Sequence, residues 1–304
     1  MPSRKGKNKK KRTWLRVLLA LIVLVILVVG VFAFLTFNNA RSTVGNIQKS
    51  TNAIDQKEVQ KKVENNEKLN VLLLGVDERE GDTGRSDALM VMSLDPANDS
   101  MKIVSIPRDT RAEIVGNGTT EKINHAYARG GVDMSINTVE SFLNIDLDYF
   151  VEMNMEGLSD LVDAVGGITV NSQLDFTQDG YSFTQGETSM DGKKAMAYVR
   201  MRKEDPDGDF GRNARQRQVI QAVIDKGASI KSVNKIDDLL NVLGNNVQTN
   251  IDFSTMTDLF QNYRNVRKNT ENYQMQGTGT TIDGVYYYEI GQEEKDKVHN
   301  MLGE

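Results

Sequence analysis

The sequence predicts an α/β fold, an α-β-α sandwich around a central mixed sheet, preceded by a single N-terminal membrane helix. Three observations carry this. Three apolar runs between residues 71 and 106, joined by short links, read as neighbouring antiparallel strands. Beyond them helical and strand patterns alternate, supplying strands of both directions and helices for both faces. Ahead of everything stands an unbroken apolar stretch, Val17 to Leu35, in which only Gly30 lacks a side chain.

Residues 1–16 hold eight basic groups (Arg4, Lys5, Lys7, Lys9, Lys10, Lys11, Arg12 and Arg16) and no acid. They read as a basic head on the cytoplasmic side. Residues 17–37 would span roughly 31 Å as a helix, about the hydrocarbon thickness of a bilayer. A cleaved signal peptide is the competing reading, but its apolar region is shorter and ends in a small-x-small site. Phe37-Asn38-Asn39-Ala40 is a poor one. The expectation is an uncleaved signal-anchor: a single-pass type II protein of the cell membrane with everything after residue 38 outside. Residues 38–68 are polar with a thin apolar stripe (Val44, Ile47, Ile54, Val59, Val63) and read as a partly helical stalk. Residues 69–304 then form one extracytoplasmic domain, large enough for a substantial core.

Within that domain, Val71 to Val76, Ala88 to Leu94 and Lys102 to Ile106 read as buried strands. Asp95-Pro96-Ala97-Asn98-Asp99 makes a tight turn between the second and third. An up-down-up arrangement brings Asp77, Asp87 and Arg108 to one edge of the sheet. Asp133 to Leu143 has a helical stripe, Tyr149 to Met155 reads as a strand, and Gly157 to Val165 as a short helix stopped by Gly166-Gly167. Ile168 to Val170 resumes as strand. Met196 to Met201 reads as another strand, Arg212 to Ile230 as a long helix, and Val285 to Ile290 as a late strand before a terminal helix.

The chain carries −5 and its first sixteen residues +8, so the other 288 carry −13. So acidic an exterior domain argues against nucleic acid as partner, since duplex binding needs net neutralisation of phosphate. With no cysteine there are neither disulfides nor thiolate sites. Only His125 and His299 exist, far apart, which disfavours zinc.

Against this acidic background Arg200, Arg202, Arg212, Arg215 and Arg217 crowd together. On a strand Arg200 and Arg202 would face one side; Arg212, Arg215 and Gln216 share one face of a helix. Two strand arginines and a helix start, after the polar loop 203–209 that ends in Asp209, would make a pyrophosphate clamp. The bland alternative is a solvated basic face balanced by those acids. Asp77 and Asp87, converging at strand ends, could hold one Mg²⁺ together with substrate phosphates, or could merely cap turns. Arg85, Arg108 and Arg111 flank them, with Lys122, Asn124 and His125 in a loop beyond. Arg108 could equally form a structural ion pair with Asp109 or Asp77, and His125 is better read as structural.

These residues, in this order, resemble the LytR-CpsA-Psr family of membrane-anchored cell-wall ligases. The resemblance is carried by residues 70–95 (NVLLLGVDEREGDTGRSDALMVMSLD), 102–114 (KIVSIPRDTRAEI), 122–131 (KINHAYARGG), 161–176 (LVDAVGGITVNSQLDF) and 195–220 (AMAYVRMRKEDPDGDFGRNARQRQVI). It implies transfer of a glycopolymer from an undecaprenyl pyrophosphate carrier to peptidoglycan, at the C6 hydroxyl of N-acetylmuramic acid. It points to the branch that transfers wall teichoic acid. By the same resemblance Asp77 and Asp87 would bind Mg²⁺, and Arg85, Arg108, Arg200, Arg202, Arg212 and Gln216 would hold the pyrophosphate, with Lys122 and Asp209 also at the site. A polyprenyl tail would lie in an apolar channel between helices and sheet. Chemistry at the site is assigned to Asp77, Asp87, Arg108 and Arg202, and Arg215 joins the clamp through its place on the helix face. Rival readings are a capsular polysaccharide ligase, a lipid pyrophosphate hydrolase using water, a non-catalytic lipid- or wall-binding module and a transcriptional attenuator.

Overall fold

A computed structural model describes residues 42–43, 45–77, 84–227, 242, 244 and 246–303, with Asp77 and Met155 placed by backbone alone. The basic head and the anchor expected at 17–37 lie outside the described residues. Among the described residues no helix is long and apolar enough to cross a membrane.

The first half of the domain runs α1 (Gln56–Glu64), β1 (Leu69–Asp77), β2 (Arg85–Asp95), β3 (Ser100–Ser105), β4 (Arg111–Ile114), β5 (Thr119–Lys122), α2 (His125–Leu143), β6 (Tyr149–Asn154) and α3 (Met155–Ala164). Then come β7 (Ile168–Ser172), β8 (Phe176–Gln178), β9 (Tyr181–Phe183), β10 (Gly186–Met190), α4 (Gly192–Arg200) and α5 (Asp209–Gly227). The chain ends with β11 (Val247–Thr249), α6 (Phe253–Asn262), β12 (Asn269–Gln274), β13 (Thr278–Ile282), β14 (Val285–Glu289) and α7 (Gln292–Gly303).

Six strands form the central sheet in the order β11-β6-β1-β2-β3-β12. β1–β2 and β2–β3 are antiparallel, as their short links require, while β1–β6 and β3–β12 are parallel. The sheet is therefore mixed. Alternation along β6 shows what covers each face: Glu152 accepts a hydrogen bond from Tyr127 of α2 at 2.8 Å, while Val151 and Met153 face the side where Leu158 of α3 lies. On the α2 side, Leu72, Val91 and Phe150 join Ile136, Val139, Val298 and Leu302 in one core. Helices α3, α4 and α5 with the β7–β10 hairpins build a second core around Val162, Phe183, Tyr198 and Val219.

Two expectations need correcting. Met196 to Met201 is not a strand. Asp191 caps a helix there, its Oδ1 accepting from Lys194 N at 2.9 Å, and α4 runs to Arg200 with Ala195 to Val199 all buried. A short apolar run buried all round reads the same as strand or helix. Nor does the domain begin at Leu69. The compact unit runs from Thr43 to Glu304, and Val59 and Val63 of the supposed stalk are buried in the first core. Lys62 of α1 also pairs with the buried carboxylate of Asp148 at 2.7 Å. The stripe that looked thin is enough to dock one short helix.

Candidate functional site

The edge where β1 ends and β2 begins gathers the charged residues. Asp77 pairs in register with Arg85, and the ladder then slips: Val76 faces Ser86 while Gly75 faces Ala88. Asp87 is the extra residue of this β-bulge, a device that re-aims a side chain. Its Oδ1 accepts from Arg108 Nη1 at 2.8 Å. Arg108 follows β3 and Pro107, and also lies 3.6 Å from Asp209 and 3.9 Å from Asp109. Asp109 in turn holds Lys122, at the end of β5, at 2.7 Å.

From the other side comes the start of α5. Asp209, in its first turn, bridges Arg212 at 3.0 Å and Arg202 at 4.0 Å, while Arg212 Nη2 also donates to the Asp87 carbonyl at 3.5 Å. Asp87, Arg108, Asp109, Lys122, Arg202, Asp209 and Arg212 thus form one cluster, with four cations to three carboxylates.

Its electrostatics favour an added anion. Burial alone would lower the pKa of Arg108, but the hydrogen bond to Asp87 and the charges of Asp209, Asp87 and Asp109 outweigh it and raise the value. Arg212 goes the other way. Burial lowers its pKa, and the neighbouring Arg108 and Arg202 act in the same direction against Asp209 and Asp87. Arg212 Nε and Gln216 Oε1 are buried with no hydrogen-bond partner among the described residues. A phosphate oxygen is a matching acceptor for that Nε–H.

Next to the cluster lies a cavity of about 260 Å³, walled by Leu73, Met90 and Met92 of the sheet, Leu158 and Leu161 of α3, and Ile220, Val223 and Ile224 of α5. It occupies the seam between the two cores. Gly75 and Ala88, facing each other across β1 and β2, help leave it open; a Cβ on Gly75 would come within 2.9 Å of that of Ala88. Gln216 also lines it, one helical turn from Arg212. The charged cluster and the apolar cavity meet at that residue.

Not every expected member is there. Arg215 is turned inward. Nε donates to the Tyr198 carbonyl at 3.0 Å, the two terminal nitrogens bond Asp205 and the Met201 carbonyl, and Phe176 and Tyr198 cover its face. With each of its nitrogens bonded and the group buried, it is not available to a substrate. Arg200, at the end of α4, is exposed and lines a different groove. It does not face the same side as Arg202, because the two do not share a strand. Arg85 is exposed and makes no ion pair among the described residues. Asp109, which ties Lys122 to Arg108, was missed as a site residue; its place beside Arg108 at the strand end was the available signal.

Among the described residues no three His, Cys, Asp or Glu side chains are grouped to hold a metal. A Mg²⁺ that shares its coordination with substrate phosphates needs only one or two carboxylates. Asp87 fits that role, since among the described residues its Oδ2 accepts no hydrogen bond.

Comparison with known proteins places the chain among relatives. The LytR_cpsA_psr family profile matches residues 34–304. A Bacillus subtilis protein named polyisoprenyl-teichoic acid–peptidoglycan teichoic acid transferase TagU is 46% identical over 301 residues, covering 99% of this chain and 98% of the relative. The crystal structure of B. subtilis TagU superposes with a TM-score of 0.63 at 45% identity, over 78% of this chain and 96% of that one. A structure of TagT bound to LIIa-WTA gives 0.67 at 32% identity, over 78% and 89%. An Enterococcus faecalis protein called a transcriptional regulator gives 0.71 at 38% identity, over 79% and 88%. A profile match through the whole described domain, and a relative this similar from end to end, show that the chain belongs to the LytR_cpsA_psr family.

Proposed function

We propose that this chain transfers a glycopolymer of the wall teichoic acid kind from an undecaprenyl pyrophosphate carrier to peptidoglycan, at the C6 hydroxyl of N-acetylmuramic acid. In this reading residues 17–37 anchor it in the cell membrane with the domain outside. One observation carries the proposal: the cluster of Arg108, Arg202 and Arg212 adjoins an apolar cavity, and Gln216 lies at the junction. A polyprenyl pyrophosphate is an apolar chain joined directly to two phosphates. The phosphate-proximal end of its tail suits the cavity and its phosphates suit the guanidinium groups. The names of the TagU relatives and the WTA-bound TagT structure support the polymer class.

The acceptor hydroxyl would attack the sugar-proximal phosphorus. The bond from that phosphorus to the bridging oxygen breaks, polyprenyl monophosphate leaves, and the polymer becomes a phosphodiester on the glycan. Such transfer needs positioning and neutralisation of charge more than covalent help. Arg108, Arg202 and Arg212 would hold phosphate oxygens, with Asp209 keeping the three in register. Asp87, or Asp77 beside it on the sheet edge, would take the hydroxyl proton. When bound at Asp87 and Asp77, Mg²⁺ would add further neutralisation of phosphate charge.

Purified full chain, supplied with lipid-linked polymer and glycan strands, is expected to form the phosphodiester product, and Asp77→Ala and Arg202→Ala are expected to abolish it. Full transfer by both variants would reject the assignment. Free polymer phosphate as the main product would instead indicate a hydrolase. A polyprenyl phosphate in the mass spectrum of detergent-extracted protein is the matching binding readout.

A further inference from the structure

Arg200 closes a second groove, of about 340 Å³, on the outer side of α3 and α4. Glu156 and Ser159 enter it from α3, Lys193 from α4, and Tyr181 from the β8–β9 hairpin. Asp179 and Gly180 turn that hairpin with φ of 51° and 81°, the two-residue turn that matches strand twist, and so set Tyr181 at the groove wall. Among the described residues the side chains of Arg200, Lys193 and Glu156 and the Tyr181 hydroxyl make no hydrogen bond or ion pair. Asp179 accepts only from Gln178, at 2.7 Å.

We propose that this groove binds the acceptor, a carboxylate-bearing amino-sugar glycan such as a peptidoglycan strand; this rests on the transfer reading above. The chemistry is complementary group by group. An unpaired guanidinium fork accepts a carboxylate bidentately, and Lys193 adds a second cation. Tyr181 offers an amphipathic ring to the C–H face of a sugar. Glu156 and Ser159 supply an acceptor and a hydroxyl for sugar hydroxyl and acetamido groups. Two cations facing two carboxylates leave the groove neutral on balance. That suits a sugar with many hydroxyls and few charges better than a phosphodiester polymer, which the cation-rich cluster would attract.

Position is the second argument. Arg200 and Arg202 flank the buried Met201, so their Cα atoms lie within about 7 Å of each other. Arg215 pins the Met201 carbonyl between them. One guanidinium therefore serves the groove and the next serves the phosphate cluster. A glycan strand held in the groove would bring a sugar hydroxyl to the phosphates without entering the lipid cavity.

The test uses the full chain in detergent and two soluble probes. One is the disaccharide of N-acetylglucosamine and N-acetylmuramic acid; the other is diacetylchitobiose, which lacks the lactyl carboxylate. The first should bind about tenfold more tightly, the effect of one charge-assisted hydrogen bond, and Arg200→Ala should erase the difference. Tyr181→Ala should weaken both probes. In the transfer assay Arg200→Ala should raise the KM for glycan strands about tenfold and leave that for the lipid-linked donor in place. A rise in donor KM would return Arg200 to the pyrophosphate clamp and overturn the proposal. So would equal binding of the two probes, or no binding of either. Probe binding is read without transfer, so loss of the transfer reading and loss of the acceptor groove are distinguishable.

Discussion

Arg212 and Arg215 stand one turn apart on α5 and do opposite work. Arg212 is buried among partners that undercompensate its charge, whereas Arg215 has an acceptor at each nitrogen, one of them the buried carboxylate of Asp205. Arg215→Met should therefore cost about 3–5 kcal/mol, because it strands Asp205 as a buried unpaired charge. Chemical denaturation measures it. The effect on transfer should follow indirectly, through the loop that carries Arg202. Glu121 supplies a pH signature. The hydrogen bond from His125, reinforced by Thr119 and Arg129, holds its carboxyl down at about 2 against an ordinary 4.5. A depressed carboxylate contributes stability that is complete above its unfolded value and is lost as pH falls through its folded one. The urea midpoints of wild type and Glu121→Gln should therefore differ above pH 4.5 and converge as pH drops towards 2.

At the scale of elements, the informative case is α1. Its sequence has only two apolar residues, Val59 and Val63, yet both are buried, and Lys62 neutralises the buried Asp148. A chain beginning at Leu69 should be less stable than one beginning at Thr43 by at least about 3 kcal/mol, from the two valines alone. Comparing the two Tm values tests this, and equal values would restore the segment to the role of a spacer. Helix α4 shows a related dependence on contacts. Gly192 sits where a Cβ would collide with the Ser159 carbonyl of α3, so the helices pack backbone to backbone. That close approach buries the run from Ala195 to Val199 on every side. Such a run has no polar face to mark its period, so it could not be distinguished from a strand beforehand. By contrast, β1 to β3 were legible because their links are too short for anything but antiparallel neighbours. The end of α3 was legible because Gly166 and Gly167 both take positive φ, the left-handed geometry that stops a helix.

At the largest scale, the described domain has two cores with an apolar space between them, and the charged cluster lies at one end of that space. Filling it should separate lipid from chemistry. Val223→Trp is expected to abolish co-purification of polyprenyl phosphate and to raise the KM for long-chain lipid-linked donor at least about tenfold. A donor with a short prenyl chain should still be used. Unchanged use of both donors would place the tail elsewhere. Residue types and spacing alone determined the strand order of β1 to β3, the helix that starts near Arg212, and the convergence of Asp87 and Arg108 on one sheet edge. Each follows from local chain geometry, in which short links and helical periods leave few alternatives. Only tertiary packing decided that Arg202 and Arg212 face the cluster while Arg200 and Arg215 do not, that a bulge aims Asp87, and that an apolar cavity exists at all. A guanidinium has five donors and no preferred partner until neighbouring elements present acceptors to it, and a cavity is the space that several elements fail to fill together.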